Sequence, residues 1–248
     1  MTAPKPPTAR ELSVVVPVYN EAENVDALAR EIASVLDGRS YEMIFVDDSS
    51  TDDTRARLAA LKAELPALRI AGHRRNAGQS RAVRSGVQAA RAPIVATLDG
   101  DGQNDPIDLP ALYAQLTRAD APSDLALVQG RREKRKDTAW KRFGSRLANR
   151  VRMGVLKDDH DDSGCGAKAF KKDAFLALPY FDHMHRYMPA LMKAEGFGVE
   201  ACPVNHRPRS FGRSKYTNFG RLAAAATDLR GVIWLMKRRR SPGGVDDV

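Results

Sequence analysis

The sequence is short of cysteine and of long apolar runs, and each shortage excludes a class of protein. Its 248 residues contain two cysteines, Cys165 and Cys202, and no C-x-x-C pair. A disulfide scaffold and a zinc site are therefore not supported, and a reducing compartment is favoured. The most apolar stretch, residues 222–236, is interrupted by Asp228 and Arg230. It is therefore not a membrane span, which needs about 20 consecutive apolar residues.

The first ten residues lack the apolar core of a secretory signal and are rich in proline. This composition predicts a disordered leader over residues 1–10. The chain has 43% hydrophobic residues, which is enough to bury a full core. We expect one large domain over residues 11–220 and a basic, amphipathic segment over residues 221–248.

Positive charge is abundant and unevenly placed. The formal net charge is +9, yet residues 130–152 hold ten Lys and Arg against two acids, and residues 205–240 hold ten against one. The rest of the chain is therefore net acidic. This asymmetry predicts an anionic partner, for which nucleic acid, anionic lipid and a phosphorylated substrate are all admissible.

Strand and helix patterns alternate along the first half of the chain. Apolar runs predict strands over residues 12–18, 41–46, 68–72 and 93–96. Helical spacing predicts intervening helices over residues 21–36, 54–65 and 79–91. A helix at 110–118, a strand at 125–130 and a further α/β stretch at 164–199 follow. The pattern indicates an α/β fold with a Rossmann-like, mostly parallel central sheet flanked by helices.

Polar residues follow each of the first four predicted strands, at 20–21, 47–48, 76–78 and 99–105. Because the carboxyl ends of parallel strands meet at one edge, we expect these residues to gather where nucleotides bind in open α/β sheets. The last segment, DGDGQND at residues 99–105, is called the acidic turn below. Asp99 and Asp101 can aim at one hard cation and leave coordination positions for substrate phosphates. An ordinary turn is the alternative, because Asp and Gly are common in turns.

Further motifs accompany the acidic turn: VPVYNE at 16–21, VDDSSTD at 46–52, NAG at 76–78, GRR at 130–132, GC at 164–165, HR at 185–186 and FGRSKY at 211–216. In this order and spacing the chain resembles glycosyltransferase family 2 with the GT-A fold. The resemblance is strongest to the polyprenyl-phosphate glycosyltransferases, which include dolichyl-phosphate mannosyltransferase. It covers roughly residues 12–220.

The resemblance implies three groups of site residues. The catalytic residues, which would also surround Mg²⁺ or Mn²⁺, are Asp99, Asp101 and Gln103. The residues expected to hold the nucleotide-sugar donor are Pro17, Tyr19, Glu21, Asp48, Asn76 and Gly78. The residues expected to contact the acceptor phosphate are Arg131, Ser145, Arg213 and Lys215.

The resemblance also implies the reaction: metal-dependent, inverting transfer of a sugar from a UDP- or GDP-sugar to undecaprenyl or dolichyl phosphate. The expected location is the cytoplasmic, inner face of the cell membrane, with an anionic membrane surface as a partner and a homo-oligomer as a plausible assembly. Interfacial amphipathic helices are expected around Trp140, Phe143 and Leu147, and at residues 222–236, although the latter segment could equally contact protein.

Three other functions remain open from the residues. A soluble or saccharide acceptor is one, although the basic loop around Arg213 and Lys215 argues against it. A nucleic-acid-binding module would explain the charge, but the carboxylates of Asp48 and Asp99 would repel a polyanion, so no nucleic-acid partner is expected. A sugar nucleotidyltransferase would be expected to carry a glycine-rich, basic loop after the first strand, and residues 19–21 are neither.

Overall fold

A computed structural model describes residues 10–132, 154, 156, 160, 162–208 and 218–240, with side chains in the last range described from residue 227. The described strands are β1 (Leu12–Val18), β2 (Tyr41–Asp47), β3 (Leu68–Gly72), β4 (Ile94–Thr97), β5 (Leu125–Arg132), β6 (Lys168–Lys171) and β7 (Gly198–Val204). The described helices are α1 (Val25–Val35), α2 (Thr54–Leu61), α3 (Gln79–Ala89), α4 (Leu109–Thr117), α5 (Lys172–Ala177), α6 (Met188–Ala194) and α7 (Asn218–Arg238).

The described strands form one sheet in the order β3-β2-β1-β4-β6-β5-β7. Strands β1 to β4 pair in parallel, as predicted. Strand β6 runs antiparallel to both β4 and β5, and β7 is parallel to β5. The carboxyl ends of β5 and β7 therefore point to the same edge as those of β1 to β4. The beginning of β6 also lies at this edge.

Helices cover both faces of the sheet, and strand β1 is therefore buried along its whole length. Val14 and Val16 pack on one face with Leu28 of α1. Val15, which points the other way, packs on the opposite face with Val83 of α3. Near-continuous apolar strands require this double covering. The predicted class, a mostly parallel sheet flanked by helices, is confirmed.

Three helices are shorter than their patterns predict. Helix α1 begins at Val25 rather than near Glu21, after a turn in which the amides of Asn24 and Val25 donate to the Glu21 carbonyl (2.9 and 3.1 Å). Helix α2 ends at Leu61 rather than at residue 65. Helix α3 ends at Ala89, because the Arg91 amide donates to the buried carboxylate of Glu42 (2.6 Å). A side chain of strand β2 thus takes the backbone donor that would continue α3.

Helix α7 packs on the same domain as the sheet. Val232 is fully buried, and Leu229, Ile233 and Met236 lie against the same core cluster. This spacing is that of one helical face. Among the described residues, no helix combines the length and the apolar character needed to cross a membrane.

Candidate active site

The polar segments after β1 and β2 are joined to each other. The Asn20 amide donates to the Ser50 hydroxyl (2.9 Å), and the Thr51 amide donates to Asn20 Oδ1 (2.7 Å). Asn20 and Ser49 adopt positive φ, at 55° and 67°. Asn is among the residues that tolerate this left-handed conformation. These contacts fix the loop that carries Tyr19 beside the end of β2.

Asp48 joins β2 to the segment that precedes α3. Its carboxylate accepts hydrogen bonds from the amides of Ala77 (2.9 Å) and Gly78 (2.8 Å). The His73 ring donates to the carboxylate from Nδ1 (2.6 Å). The side-chain amide of Asn76 donates to the backbone carbonyl of Asp48 (3.1 Å). Asp48 is buried. Three predicted donor-site residues, Asp48, Asn76 and Gly78, are thus brought together.

The acidic turn, residues 99–105, follows β4 and is hydrogen-bonded internally. The Asp99 amide donates to Asn104 Oδ1 (2.9 Å), and the Gln103 amide donates to Asp101 Oδ1 (3.1 Å). Gly102 has φ of 71°, which glycine adopts without a steric cost. The turn therefore holds the three predicted catalytic and metal-binding residues within a span of five positions.

This turn also contacts the donor side of the sheet. Gln79, the first residue of α3, donates to Asp99 Oδ1 (2.7 Å). A Cβ on Gly100 would lie 2.7 Å from a Val18 methyl and 2.8 Å from the Pro17 carbonyl oxygen. Only glycine permits such a close approach to β1. Predicted metal ligands and predicted donor residues therefore meet at one edge of the sheet.

Asp99 has the most informative ionisation in the site. Burial, followed by the like charge of Asp101, raises its pKa from 3.8 to about 6. The positive charges of Lys168 and Arg132 and the hydrogen bond from Gln79 oppose this rise. Two carboxylates that raise the pKa in this way repel each other, and a bound cation relieves the repulsion.

The turn before β6, residues 162–166, forms a wall against the acidic turn and is called the wall turn. A Cβ on Gly166 would lie 2.2 Å from Asp99 Oδ2 and 2.6 Å from Asn104 Oδ1. The Thr97 hydroxyl donates to the Gly166 carbonyl (2.7 Å). Cys165 is fully buried, and burial raises the pKa of its thiol. Packing rather than nucleophilic chemistry is its role here.

A buried group of charges supports the wall turn. Arg132 binds Asp162 in a fork, from Nε to Oδ2 (2.8 Å) and from Nη2 to Oδ1 (2.5 Å). Lys168 is 3% exposed and donates to the Cys165 carbonyl. Burial lowers the pKa of Lys168, while the charges of Cys165, Asp99 and Asp162 oppose that shift. Sequence reasoning gave Arg132 and Lys168 no specific role.

His185, part of the HR motif, contacts α3. The Ser80 hydroxyl and His185 Nδ1 share a hydrogen bond (2.7 Å). Burial, followed by the charges of Lys168 and Arg186, holds the pKa of His185 well below 6.5. The ring is therefore neutral at pH 7 and fastens the segment after α5 to α3.

The predicted acceptor-phosphate residues are only partly within the described chain. Arg131 lies near the carboxyl end of β5 and is exposed. It therefore lies at the same edge of the sheet as the acidic turn. Ser145, Arg213 and Lys215 lie outside the described residues, as do Trp140, Phe143 and Leu147. Their roles stay predictions.

Comparison with known proteins places these motifs in a family. The glycosyl transferase family 2 model matches residues 13–178. The chain is 34% identical over 245 residues to dodecaprenyl-phosphate galacturonate synthase of Rhizobium johnstonii, covering 96% of this chain and 71% of that protein. It is 33% identical over 223 residues to undecaprenyl-phosphate 4-deoxy-4-formamido-L-arabinose transferase of Enterobacter sp., covering 88% and 66%.

Solved structures agree on the fold. Glucosyl-3-phosphoglycerate synthase from Mycobacterium tuberculosis, crystallised with Mn²⁺, UDP and glucosyl-3-phosphoglycerate, superposes with a TM-score of 0.68 at 20% identity. The superposition covers 94% of this chain and 82% of that one. The same enzyme has been crystallised with Mg²⁺ and UDP. At this identity the likeness establishes the GT-A architecture only.

Proposed function

The chain belongs to glycosyltransferase family 2, and we propose that it transfers a sugar from a nucleoside-diphosphate sugar to a polyprenyl phosphate. The observation that carries the acceptor class is the 34% identity to a dodecaprenyl-phosphate sugar synthase over 245 residues. That match covers 96% of the chain. The alignment therefore includes the acidic turn, the wall turn and most of the basic segments.

The donor would lie along the carboxyl edge of β1, β2 and β4. We assign its base and ribose to Pro17, Tyr19, Glu21 and Asp48, with Asn76 and Gly78, just before α3, as further donor contacts. Asp48 supports this assignment by holding two of these segments together. Its carboxylate already accepts three hydrogen bonds from the chain, so its first contribution to donor binding is to order this edge.

Asp99, Asp101 and the carboxamide of Gln103 suit Mg²⁺ or Mn²⁺, because all three offer hard oxygen ligands. The repulsion that raises the pKa of Asp99 supports this fit. The proposed set has only two carboxylates, and the described residues contain no group of three or more His, Cys, Asp and Glu side chains suited to a metal ion. Two carboxylates leave coordination positions for the donor diphosphate. When bound, the ion supplies positive charge to the departing diphosphate.

The acceptor needs positioning more than deprotonation, because a phosphate monoester is already anionic near neutral pH. A phosphate oxygen of the lipid forms the new bond to the anomeric carbon. The bond from that carbon to the donor diphosphate breaks, and its electron pair leaves with the nucleoside diphosphate. We assign the acceptor phosphate to Arg131 on β5, with Ser145, Arg213 and Lys215 as further proposed contacts. Arginine suits this task because its fork binds phosphate oxygens in pairs.

The same proposal includes a peripheral position at the cytoplasmic face of the membrane, where a polyprenyl phosphate presents its head group. The outer side of α7 supports it. Trp234 is 58% exposed there, and Arg230, Lys237 and Arg238 are exposed as well. These positions share one side of the helix, since they are spaced four, three and one residues apart. An aromatic ring among cations is typical of an interfacial surface.

The proposal is tested with the purified full chain, Mg²⁺ or Mn²⁺, a panel of UDP- and GDP-sugars and a short polyprenyl phosphate. We expect a lipid-linked monosaccharide by mass spectrometry with at least one donor, and its loss in Asp101→Asn. A parallel reaction offers 3-phosphoglycerate as a soluble phosphorylated acceptor. Transfer to that acceptor but not to the lipid would overturn the acceptor class, and no transfer with any donor would overturn the proposal.

A further inference from the structure

The segment that leaves β7, residues 205–208, is fastened to the acidic turn and to the residues just after it. The Arg207 amide donates to the carbonyl of Gln103 (2.9 Å), and Asn104 pairs with His206 in an antiparallel bridge. Asn205 donates to Asp108 twice, from its amide (2.7 Å) and its side chain (3.0 Å). The backbone of a predicted metal ligand, Gln103, is thus held from outside its own turn.

The side chain of Arg207 extends this attachment to a third element. Its Nη2 lies 2.6 Å from Asp105 Oδ1, and its Nη1 lies 2.6 Å from Glu31 Oε2 on α1. Asp105 also accepts a hydrogen bond from the Ile107 amide (3.1 Å), which caps the short helix at Pro106–Asp108. We call Arg207, Asp105 and Glu31 the Arg207 clamp. It ties α1, the acidic turn and the exit of β7 together.

The acidic turn has a physical need for such a clamp. It contains two glycines, which make a backbone easy to deform, and its carboxylates repel each other. The pairs made by Arg207 are partly exposed, with 40% of its side-chain surface accessible. Pairs of this kind contribute little to global stability. Their effect is therefore expected on the geometry of the turn rather than on the free energy of unfolding.

We propose that Arg207 is a positioning residue. Its side chain fixes the segment whose backbone amide, at Arg207, binds the Gln103 carbonyl, so that the acidic turn is preorganised for a metal-bound nucleoside diphosphate. This inference rests on the proposed donor site and adds a residue to it. Groups that orient metal ligands typically change metal affinity by about 10- to 100-fold when they are removed. A loss of similar size is expected when the clamp is opened.

The first measurement needs no ligand. Hydrogen exchange is followed in the metal-free full chain for peptides that cover residues 99–105. We expect faster exchange there in Arg207→Ala and in Asp105→Asn, because Asn keeps the cap on Ile107 but loses the ion pair. Arg118→Ala is the matched control, since Arg118 pairs with Glu200 (2.7 Å) near the opposite end of β7. Unchanged exchange in both clamp variants would overturn the inference.

The second measurement is calorimetric binding of UDP and GDP in the presence of Mn²⁺. We expect Arg207→Ala to weaken binding by about tenfold, Arg207→Lys to recover part of the loss, and Arg118→Ala to match the wild type. In the transfer reaction, KM for the donor should rise more than kcat falls. A loss in Arg118→Ala as large as in Arg207→Ala would overturn a positioning role.

The two proposals fail in different ways. If the wild type binds neither nucleotide with Mn²⁺, the proposed donor site is wrong, while the exchange experiment still decides whether the clamp orders the turn. If the wild type binds and both clamp variants bind equally well, the clamp is wrong and the proposed function stands. If Arg207→Ala fails to fold, Asp105→Asn and Glu31→Gln replace it. Asp105→Asn removes the ion pair with the acidic turn, and Glu31→Gln removes the ion pair with α1. The same outcomes then decide whether the clamp positions the turn.

Discussion

The two sides of the sheet hold the site in different ways. On the side of β1 to β4, the buried carboxylates at the end of β2 accept from backbone amides, as Asp48 does from Ala77 and Gly78, or pair with an exposed cation, as Asp47 does with Arg55, whose side chain is 56% exposed. On the side of β5 to β7, buried charges pair with each other, as Arg132 does with Asp162. Both arrangements join segments that are about 30 residues apart in the chain. They differ in the burial of the cation, because the Arg132 side chain is only 17% exposed.

The buried pair offers the largest expected effect. Arg132→Ala leaves the carboxylate of Asp162, which is 8% exposed, without its cation. Breaking a buried pair from one side costs about 3 kcal/mol of unfolding free energy. Urea unfolding would measure this. The control is Arg30→Ala, whose pair with Glu64 is half-exposed on both sides, and for which no measurable change is expected. Equal losses in the two variants would remove the contrast between the two sides.

The contact between the two sides is tested by Gly166→Ala. The new Cβ would lie 2.3 Å from Asp99 Cγ, so the carboxylate must move. A displacement of about 1 Å near the chemistry can reduce turnover about 100-fold. Gly164→Ala is the matched control, because nothing lies within 4 Å of its Cβ position. Transfer rates and Mn²⁺ binding are measured for both, and wild-type activity in Gly166→Ala would show that the wall turn does not constrain the acidic turn.

Charged groups from both sides of the sheet affect the pKa of Asp99, so the dependence of metal binding on pH tests their combined effect. With a pKa of about 6, Asp99 takes up a proton as the pH falls through this value, and a divalent ion must displace it. Affinity for Mn²⁺ with UDP should therefore fall about tenfold between roughly pH 7.5 and pH 5. Calorimetry with Asp99→Asn separates out the titration of the nucleotide itself. A fall of equal size in that variant would exclude Asp99 as the cause.

The same shift fixes the sign of a stability effect in the metal-free protein. The folded state binds this proton more tightly than the unfolded chain, whose Asp has a pKa near 3.8. The resulting stabilisation is fully present below that value and is lost as the pH rises through about 6. Asp99→Asn should remove this pH dependence from the unfolding free energy.

The first side of the sheet could be predicted from the sequence, whereas much of the second could not. The predicted bounds of β1 and β3 agree with the structure. For β1 the reason is that a buried parallel strand forms an apolar run with polar residues at its end. Strand β6, KAFK, has no such signal, since it begins with a buried lysine and ends with a second lysine. A charged residue in the sequence predicts solvent exposure. The residues that allow a lysine to be buried come from other segments of the chain, so the sequence alone does not show them.

The predicted site divides in the same way. The motif order assigned Asp99, Asp101 and Asp48 to one edge, which follows from parallel pairing once the strands are known. The pairing of Asp162 with Arg132 and of Arg207 with Glu31 depends on how distant segments pack. One feature of the sequence bears on the first pair: Asp162 lies two positions before the GC motif at residues 164–165.

The smallest effect concerns the outer surface. Two large apolar side chains among the described residues are strongly exposed, Ile107 beside the acidic turn and Trp234 on α7. If α7 meets an anionic bilayer, Trp234→Ala should weaken binding to phosphatidylglycerol vesicles about fivefold, through lost apolar burial. Ile107→Ala should bind like the wild type. Equal vesicle affinity for Trp234→Ala and the wild type would show that the Trp234 ring does not insert into the bilayer.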